Sequence, residues 1–578
     1  MFSIYKEFEK FIGKDKSKLR KSILLSMLES LLGITKIIAI YMILKGILEN
    51  ELSTSLIIKA FLLTAVAIVF IIMSKAKSVM LQTEIGYDLA AKKRMDIGEH
   101  LKYVPMGYFS KKSLGQITSI ATNTCNNLQE VATLVLIQFT SGLGLGLIMT
   151  IFLLNFNLKI GAVSIVAMIY FFIIISVINK KGEKLSSKKI KSDARLVEKT
   201  LEYVQGMQIV KSFNLKNDSG SEYIREIDKN RKINTSLEKT FIPYMFLLSF
   251  GIRLLSVFII YLSISFYIEG AMPAYESIVM IIASFLLFIH LETAGAFVAL
   301  FKMLKFSMNQ IMEIEEIPVM DIDGQNIKPQ NYDIEFDHVN FSYQDERVIN
   351  DISFKIKENT TTAIVGPSGS GKTTITTLLA RFWDVDSGKI SLGGKDIKDY
   401  KLDSLWDNIS VVFQDVYLFN DTVANNIKFG SPEKSMEEVV EAAKKAHCYE
   451  FVMNMENGFD TIIGEGGSAL SGGEAQRISF ARAIMKDAPI IILDEATANI
   501  DPENENLMQD AIEKLTKSKT VIMIAHRLKT VKNADQIIVL DEGAIQAIGT
   551  HEELMNREGL YRDFVNMREK TIGWKIEK

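Results

Sequence analysis

The chain has 578 residues, and its 66 Lys and Arg residues against 69 Asp and Glu residues give a formal net charge of -3 at pH 7. This balance excludes the strong basic field of nucleic-acid-binding proteins, so we expect no nucleic acid as a main partner. The two cysteines, Cys125 and Cys448, are too few and too distant in sequence for a disulfide framework or a metal cluster. Hydrophobic residues make up 48% of the chain, and the long uncharged runs all precede about residue 307, which predicts a membrane part followed by a soluble part.

The first part of the chain carries the signals of a helical membrane protein. A basic cluster precedes the first apolar stretch and favours a cytoplasmic N-terminus; it comprises Lys14, Lys16, Lys18, Arg20 and Lys21. Apolar stretches of spanning length follow at 22–48, 56–80, 131–154, 159–179, 241–268 and 277–303. We therefore predict an α-helical bundle with six transmembrane helices within residues 1–307.

The connections between these stretches are of two kinds. Those after the first, third and fifth stretches are short and carry little positive charge, so they are predicted to face outside. The other two, at about 81–130 and 180–240, are long, basic and rich in helix-forming residues. They are predicted to extend the membrane helices into the cytoplasm and to turn back through short crosswise segments, which could contact the soluble part of the chain.

A few ionisable side chains fall inside the predicted spans. Because charge in the bilayer centre is costly, such groups are expected to face a cavity or one another. The alternative is that several lie near the interface and extend their charged ends to water. The candidates are Glu29, Lys36, Arg253, His290 and Glu292.

The pattern changes after the last apolar stretch. Residues 308–333 contain Pro318, Gly324 and Pro329 and are predicted to form a linker. From Ile334 onward, short strand-like runs alternate with helical segments, which predicts an α/β domain over 334–567 and a tail over 568–578. The predicted strands are 334–341, 352–356, 361–365, 490–493 and 520–525, with a late hairpin of 536–540 and 544–548.

A phosphate-binding loop lies near the start of this domain. Gly366 to Thr373 reads Gly-Pro-Ser-Gly-Ser-Gly-Lys-Thr and stands between a strand-like run and a helix-forming run, as such a loop requires. Its glycines allow close approach to phosphate, while Lys372 would bridge the β- and γ-phosphates and the Thr373 hydroxyl would bind Mg²⁺. The predicted nucleotide-binding residues here are Gly366, Pro367, Ser368, Gly369, Ser370, Gly371, Lys372, Thr373 and Thr374.

A second motif, Leu470-Ser471-Gly472-Gly473-Glu474, resembles the signature of ABC transporters, with Glu474 where Gln is commonest. The likeness extends over nearly the whole chain, since six spans before one ATP-binding domain resemble the exporter-type half-transporter. The resemblance implies that Ser471, Gly472 and Gly473 close over ATP held by the phosphate loop of a second subunit. The partner subunit would be a second copy or a related chain.

The same resemblance implies roles for residues that follow other strands. Asp494 would hold Mg²⁺, and Glu495 would be the general base that accepts a proton from the attacking water. His526 resembles the switch histidine that contacts the γ-phosphate. Gln414 resembles the glutamine that reaches Mg²⁺ or the water, and Tyr343 resembles the aromatic residue that stacks on adenine.

These observations predict an ATP-hydrolysing half-transporter that uses ATP and Mg²⁺ in the cytoplasmic membrane and moves a small molecule, lipid or peptide. Export is favoured by the architecture. Uptake is the alternative, because 202–213 and 501–505 resemble siderophore importers with exporter architecture. A second alternative, an ATP-gated channel or membrane regulator, is disfavoured by the intact Glu495. The expected partners are a second subunit, membrane lipid and the transported molecule.

Overall fold

The computed structural model describes residues 2–111, 114–213, 221–320, 324–344, 346–467, 470–494, 502–524 and 531–572. The chain divides into two compact units. The first contains Met1–Lys102 and Phe109–Ile317, and the second contains Tyr103–Tyr108 and Pro318–Lys578. The short segment 103–108 therefore belongs to the second unit, although the chain on either side of it belongs to the first.

The N-terminal half of the chain is helical throughout its described part. A turn of π-helix, Ile120–Thr124, separates the sixth helix from the seventh. The helices are α1 (Phe2–Ile12), α2 (Lys16–Gly33), α3 (Thr35–Leu48), α4 (Thr54–Lys102), α5 (Met106–Lys111), α6 (Leu114–Ser119), α7 (Cys125–Phe156), α8 (Leu158–Gln205), α9 (Met207–Ser212), α10 (Ser221–Ile268), α11 (Ala274–Ala296) and α12 (Val298–Glu315).

Several of these helices are long and apolar enough to cross a membrane. Within the described residues there are five: Tyr5–Leu48, Thr54–Lys102, Leu158–Ile178, Glu222–Ile268 and Ala274–Gly295. A shorter apolar helix, Ser141–Phe156, overlaps the predicted third span. Helices α4, α8 and α10 contain 49, 48 and 48 residues. At 1.5 Å per residue they measure about 70 Å, more than twice the hydrocarbon thickness, so they extend well beyond a bilayer as predicted.

The first two spans pack closely because small side chains line their contact. Ser22 and Ser26 of α2 are buried, as is Ser78 of α4. The Ser22 and Ser78 hydroxyls lie 3.0 Å apart, and the Ser78 hydroxyl also donates to the Ser22 carbonyl at 2.9 Å. Small hydroxyl residues let helix backbones approach each other in an apolar environment, which explains why serines line this contact.

The described residues of the second unit form three sheets. Their strand orders are β2-β1-β4-β5, β12-β11-β3-β10-β9-β6 and β7-β8. The strands are β1 (Ile334–Tyr343), β2 (Glu346–Ile356), β3 (Thr361–Val365), β4 (Ser387–Leu392), β5 (Lys395–Asp396), β6 (Ile409–Val412), β7 (Asp421–Thr422), β8 (Ile462–Ile463), β9 (Ile490–Asp494), β10 (Thr520–Ile524), β11 (Gln536–Asp541) and β12 (Ala544–Gly549).

Helices cover these sheets, as expected for an α/β domain. They are α13 (Lys372–Leu379), α14 (Leu402–Trp406), α15 (Val423–Lys428), α16 (Met436–Lys445), α17 (Tyr449–Met453), α18 (Gly472–Lys486), α19 (Pro502–Thr516), α20 (His551–Met555) and α21 (Leu560–Ile572).

Strand β2 and helix α12 have boundaries that differ from those that the sequence predicts. Strand β2 begins at Glu346 rather than at residue 352, because its first residues pair with the end of β1, where Tyr343 lies opposite Glu346. Helix α12 continues to Glu315, within the predicted linker, since Met308, Ile311 and Ile314 recur at helical spacing and are buried. The helix thus reaches almost to Pro318.

The order of the large sheet brings the predicted ATP-site segments to one edge. Strands β3, β10, β9 and β6 are parallel neighbours, so their carboxyl ends point the same way. The phosphate-binding loop follows β3, Gln414 follows β6, and Asp494 is the last residue of β9. Segments that are up to about 130 residues apart in sequence therefore meet at the edge where α/β sheets bind ligands.

Candidate ATP-binding site and membrane-embedded polar cluster

The phosphate-binding loop has the backbone form that phosphate recognition needs. Gly369 and Gly371 have φ values of +82° and +98°, a region that favours glycine. A Cβ atom at Gly371 would lie 2.7 Å from Cδ1 of Ile349 and 3.2 Å from the Val348 carbonyl oxygen, so a side chain there would crowd β2. The Ser370 hydroxyl is buried and has no hydrogen-bond partner among the described residues. This buried polar atom fits a loop built to surround an anion.

Lys372 begins helix α13 and is only 7% exposed. Its Nζ atom donates hydrogen bonds to the carbonyl oxygens of Gly366, at 3.1 Å, and Pro367, at 2.7 Å. The lysine is therefore folded over its own loop. This arrangement keeps a full positive charge beside the N–H groups that open the helix, which together favour a phosphate group.

The oxygen donors predicted to bind Mg²⁺ lie on elements that meet at the same sheet edge. Asp494 is buried at the end of β9, Thr373 is exposed in the first turn of α13, and Gln414 is exposed after β6. Helix α13 contacts both β9 and β10. Carboxylate, hydroxyl and amide oxygens are hard ligands of the kind that Mg²⁺ prefers, so this donor set fits the ion.

The predicted base and switch residue, Glu495 and His526, lie outside the described residues. The strands before them, β9 and β10, end at Asp494 and Ile524. Their assignment therefore stays a prediction from the sequence.

Tyr343 ends strand β1 and belongs to an aromatic cluster of the second unit. Its ring meets Phe341 edge-on, with centroids 4.8 Å apart, and Trp383 edge-on at 5.2 Å. The side chain is half-buried. The neighbouring strand β2 borders the phosphate-binding loop through Val348 and Ile349. The aromatic ring is thus held on the hairpin next to the loop, and its stacking on adenine stays a prediction.

The signature motif opens helix α18 through a capping box. The Ser471 hydroxyl accepts a hydrogen bond from the Glu474 backbone N–H, and the Glu474 carboxylate accepts one from the Ser471 backbone N–H at 2.9 Å. The same carboxylate oxygen also accepts the Ser471 hydroxyl at 2.8 Å. Ser471 and Gly472 are exposed at this helix start and Gly473 is half-buried. The exposed N-terminal end of α18 can contact a phosphate group, whereas the negative charge of Glu474 would repel that phosphate.

The ionisable residues of the membrane unit have different surroundings. Arg253 of α10 pairs with Glu292 of α11, with 3.2 Å between the guanidinium and Oε1. Glu29 lies 4.0 Å from Lys75. Lys36 is exposed, and His290 is half-buried. Since residues two apart on a helix point in nearly opposite directions, His290 does not share the face of Glu292. The sequence predicted the members of this set, but it did not predict which of them pair.

A cavity of about 1140 Å³ lies in the first unit among α6, α7, α8, α10 and α12. None of the five predicted membrane candidates lines it. Its polar lining includes Asn123, Thr124, Asn127, Lys189 and Gln310. The Thr124 hydroxyl donates to the Gln310 amide oxygen at 3.0 Å. Sequence reasoning missed these residues, although the polar run from Thr122 to Asn127 beside an apolar stretch was a usable signal.

Comparison with known proteins relates both halves of the chain to one family. Residues 349–498 match the family described as "ABC transporter", and residues 19–291 match "ABC transporter transmembrane region". A protein named ATP-dependent lipid A-core flippase from Haemophilus influenzae (strain 86-028NP) is 32% identical over 506 residues, which cover 82% of each chain. The protein of the same name from Idiomarina loihiensis is 34% identical over 514 residues, which cover 84% of each chain.

A solved structure described as "Structure of a bacterial Atm1-family ABC exporter with ATP bound" has the same fold. It matches with a TM-score of 0.85 and 25% sequence identity, covering 95% of this chain and 98% of that chain. The predicted fold class, a membrane helical bundle followed by an ABC ATPase domain, is thereby confirmed. This chain therefore belongs to the ABC transporter family, as an ATP-hydrolysing half-transporter in which the transmembrane region and the ATPase domain are fused.

Proposed function

We propose that this half-transporter dimerises and exports an amphiphilic small molecule or lipid across the cytoplasmic membrane. The observation that carries the proposal is the likeness over more than four fifths of the chain to proteins named ATP-dependent lipid A-core flippase. An exporter structure of the same fold supports the outward direction. The names of those relatives specify a lipid as the transported molecule. We therefore expect the molecule transported here to be an amphiphile.

The ATP site is proposed to work with residues of two subunits. Lys372 and the N–H groups of the phosphate-binding loop bind the β- and γ-phosphates, and Tyr343 stacks on adenine. Thr373, Gln414 and Asp494 would hold Mg²⁺, which supplies positive charge to the phosphate oxygens when bound. Ser471, Gly472 and Gly473 of the other subunit complete the site.

Hydrolysis is proposed to depend on two residues that follow adjacent strands. Glu495 accepts a proton from the attacking water, because it directly follows β9 in the sequence and the carboxyl end of β9 lies at the phosphate-binding edge. His526, after β10, contacts the γ-phosphate and responds to its loss.

The proposed topology has the N-terminus and the ATPase domain in the cytoplasm, because the basic residues cluster before the first span and in the two long connections. The domain limits proposed from the sequence are 1–307 for the transmembrane domain, 308–333 for the linker, 334–567 for the ATPase domain and 568–578 for the tail. The partner is a second copy or a related half-transporter, and membrane lipid surrounds the spans.

The proposed role of Glu495 as the general base is tested with the Glu495→Gln variant of the purified protein. We expect ATP binding to persist and turnover to fall by about a hundredfold or more, because an amide cannot accept the proton of the water. The exposed Glu513→Gln variant is the control. Hydrolysis by Glu495→Gln at close to the parental rate would show that another group is the base.

The direction is tested in inside-out vesicles with the subunit and its partner. ATP-dependent accumulation of a fluorescent phospholipid or a lipophilic drug supports export. The competing function is siderophore uptake, which the short stretches 202–213 and 501–505 favour. ATP-dependent loss of preloaded ferric siderophore, without accumulation of lipid or drug, would replace the proposed export with uptake.

A further inference from the structure

We propose that Arg253 and Glu292 form the binding site for an acidic group on the transported molecule, with Glu292 holding the guanidinium until that group displaces it. This inference rests on the proposed transport function and names its substrate class. The substrate is an amphiphile with an apolar body and one carboxylate or phosphate group.

Arg253 lies near the middle of the predicted fifth span, 241–268. It is the one charged residue between Thr240 and Ile268 of α10. The nearest charged residues on either side, Lys239 and Glu269, are 14 and 16 positions away. At the rise of an α-helix these separations are about 21 and 24 Å, which is beyond the reach of an arginine side chain. Arg253 therefore does not place its charge at the membrane surface.

The Arg253 side chain is 73% exposed, whereas Glu292 is 34% exposed. A guanidinium at this depth is strongly disfavoured against lipid tails, so this exposed side faces a water-filled path, a ligand or another subunit.

A second copy of the chain offers a poor partner for this charge. The acidic residue nearest the middle of the first two spans, Glu29, is only 23% exposed and already lies near Lys75. Glu292 of a second copy is engaged by its own Arg253. A ligand with an acidic group fits the exposed guanidinium better than the acidic groups of a second copy do.

The surface around the pair is apolar and aromatic. Phe246, Phe250, Arg253 and Val257 follow one another at spacings of four, three and four residues, so they lie on one face of α10. The two Phe rings are nearly parallel, with centroids 5.8 Å apart and planes at 16°. Phe285, Ile289 and Glu292 share a face of α11 in the same way. The apolar members of both faces are more than half exposed: Phe246, Phe250, Val257, Phe285 and Ile289.

The pair thus interrupts an otherwise apolar, aromatic surface. That combination suits a molecule whose ring or chain packs on the rings while its acidic group reaches the guanidinium. A fully apolar substrate would make no favourable contact with the charge pair.

The hydrogen bonds explain how the site can open. Glu292 accepts hydrogen bonds from the Ser249 hydroxyl at 2.5 Å and from one guanidinium nitrogen of Arg253 at 3.2 and 3.4 Å. An arginine has five N–H donors in a fork, and a single nitrogen uses only part of that fork. An incoming carboxylate or phosphate can first bind the remaining donors and then displace Glu292 from the guanidinium, while the Ser249 hydroxyl continues to hold Glu292.

The test uses a matched pair of fluorescent probes, 1-pyrenebutyrate and 1-pyrenebutanol, which differ in the acidic group. Binding is measured by fluorescence with the purified transporter in phosphatidylcholine nanodiscs. For pyrenebutyrate we expect Arg253→Gln to weaken affinity by about tenfold or more, since it removes a charge-assisted contact. Glu292→Gln should strengthen it several-fold, because the competing anion is gone. Neither variant should change pyrenebutanol affinity by more than about twofold.

Two further variants keep the test decisive. Lys59→Gln removes one exposed cation from another membrane helix and should leave pyrenebutyrate affinity as in the parent. Arg253→Lys keeps the charge without the fork and should bind with intermediate affinity, which covers the case in which Arg253→Gln fails to fold.

A second arm identifies the source of the acidic group. Phosphatidic acid in the nanodiscs should compete with pyrenebutyrate in the parent if the cargo is a lipid phosphate. If it does not compete and binding still depends on Arg253, the cargo is a soluble carboxylate amphiphile. Either result supports the site.

The proposal is overturned if Arg253→Gln binds pyrenebutyrate like the parent, or if both probes lose affinity equally. It is also overturned if that variant becomes monomeric with unchanged affinity per chain, since the pair would then be a subunit contact. These failures leave the proposed function intact as long as the parent hydrolyses ATP and moves lipid. A parent that does neither refutes the transport function itself.

Discussion

The hydroxyl of Tyr103 donates a hydrogen bond of 2.7 Å to the carboxylate of Asp403, a residue 300 positions later in the chain. The ring of Tyr103 also stacks on Trp406, with planes at 7° and centroids 6.5 Å apart. The Tyr103 carbonyl accepts the Met320 N–H at 3.0 Å. The segment that follows the long helix α4 is therefore anchored within the second unit by side-chain and backbone contacts.

Removing the Tyr103 hydroxyl should weaken this anchor without unfolding the protein. We expect Tyr103→Phe to retain ATPase activity within about twofold, while transport per ATP falls several-fold, because one hydrogen bond to a partly exposed carboxylate contributes about 1 kcal/mol. ATP turnover and vesicle transport are measured on the same preparation. Tyr87→Phe, an exposed tyrosine of α4, is the control. Parallel loss of both rates, or no loss of either, would contradict a coupling role.

Replacing Glu474 by Gln should raise the catalytic efficiency of ATP hydrolysis. The Glu474 carboxylate binds the Ser471 hydroxyl and places negative charge where the signature motif is proposed to meet the γ-phosphate. An amide keeps the cap but removes the repulsion, so we expect kcat/KM for ATP to rise about three- to tenfold. Glu553→Gln alters the same kind of capping box at α20 and should leave kcat/KM unchanged. A fall in kcat/KM for Glu474→Gln would show that the acid assists the site.

Arg381 should be a major determinant of stability in the second unit. Its side chain is 3% exposed and donates hydrogen bonds to the carbonyl oxygens of Ile397 at 3.1 Å, Tyr400 at 3.0 Å and Met320 at 2.6 Å. Arg381→Met leaves these acceptors without their charged donor, so we expect a loss of about 3 kcal/mol or more. The melting midpoint of the purified protein should fall by about 10 °C.

The control for that change is Arg557→Met, because Arg557 is exposed. Its effect should stay within about 0.5 kcal/mol. A similar midpoint for both variants would mean that water replaces the guanidinium at Arg381 without cost.

The two cysteines should resist alkylation in the folded protein. Burial raises the pKa of the Cys448 thiol to about 12, and it also raises the pKa of Cys125. The thiolate is the reactive form, so both should react with N-ethylmaleimide at pH 8 only after denaturation. Mass spectrometry measures the adducts, and the exposed Lys517→Cys variant is the positive control. Rapid labelling of Cys448 without denaturant would contradict its burial.

The raised pKa of Cys448 also affects the stability of the folded protein at high pH. The folded-state pKa of Cys448 lies above the usual value of about 8.5, so folding favours the neutral thiol. The resulting stability is fully present below pH 8.5 and is lost as the pH rises toward 12. Cys448→Ala should therefore melt with a weaker dependence on pH between 9 and 11 than the parent.

The sequence by itself determined the features that depend on the pattern of neighbouring residues. The phosphate-binding loop could be located because it lies between a strand and a helix, and the structure has β3 and α13 there. The spans could be located because lipid requires long apolar stretches. The extension of α12 to Glu315 was missed, since three buried residues at helical spacing among charged ones gave a weaker signal than the prolines that follow.

Only the tertiary structure decided which of these pieces meet. Helical periodicity assigns Arg253 and Glu292 each to a face, but their pairing depends on how α10 and α11 are rotated against each other. The contact between Tyr103 and Asp403 joins positions 300 residues apart. Such contacts are set by the packing of many side chains at once, whereas a sequence motif reports only the residues within its own turn or strand.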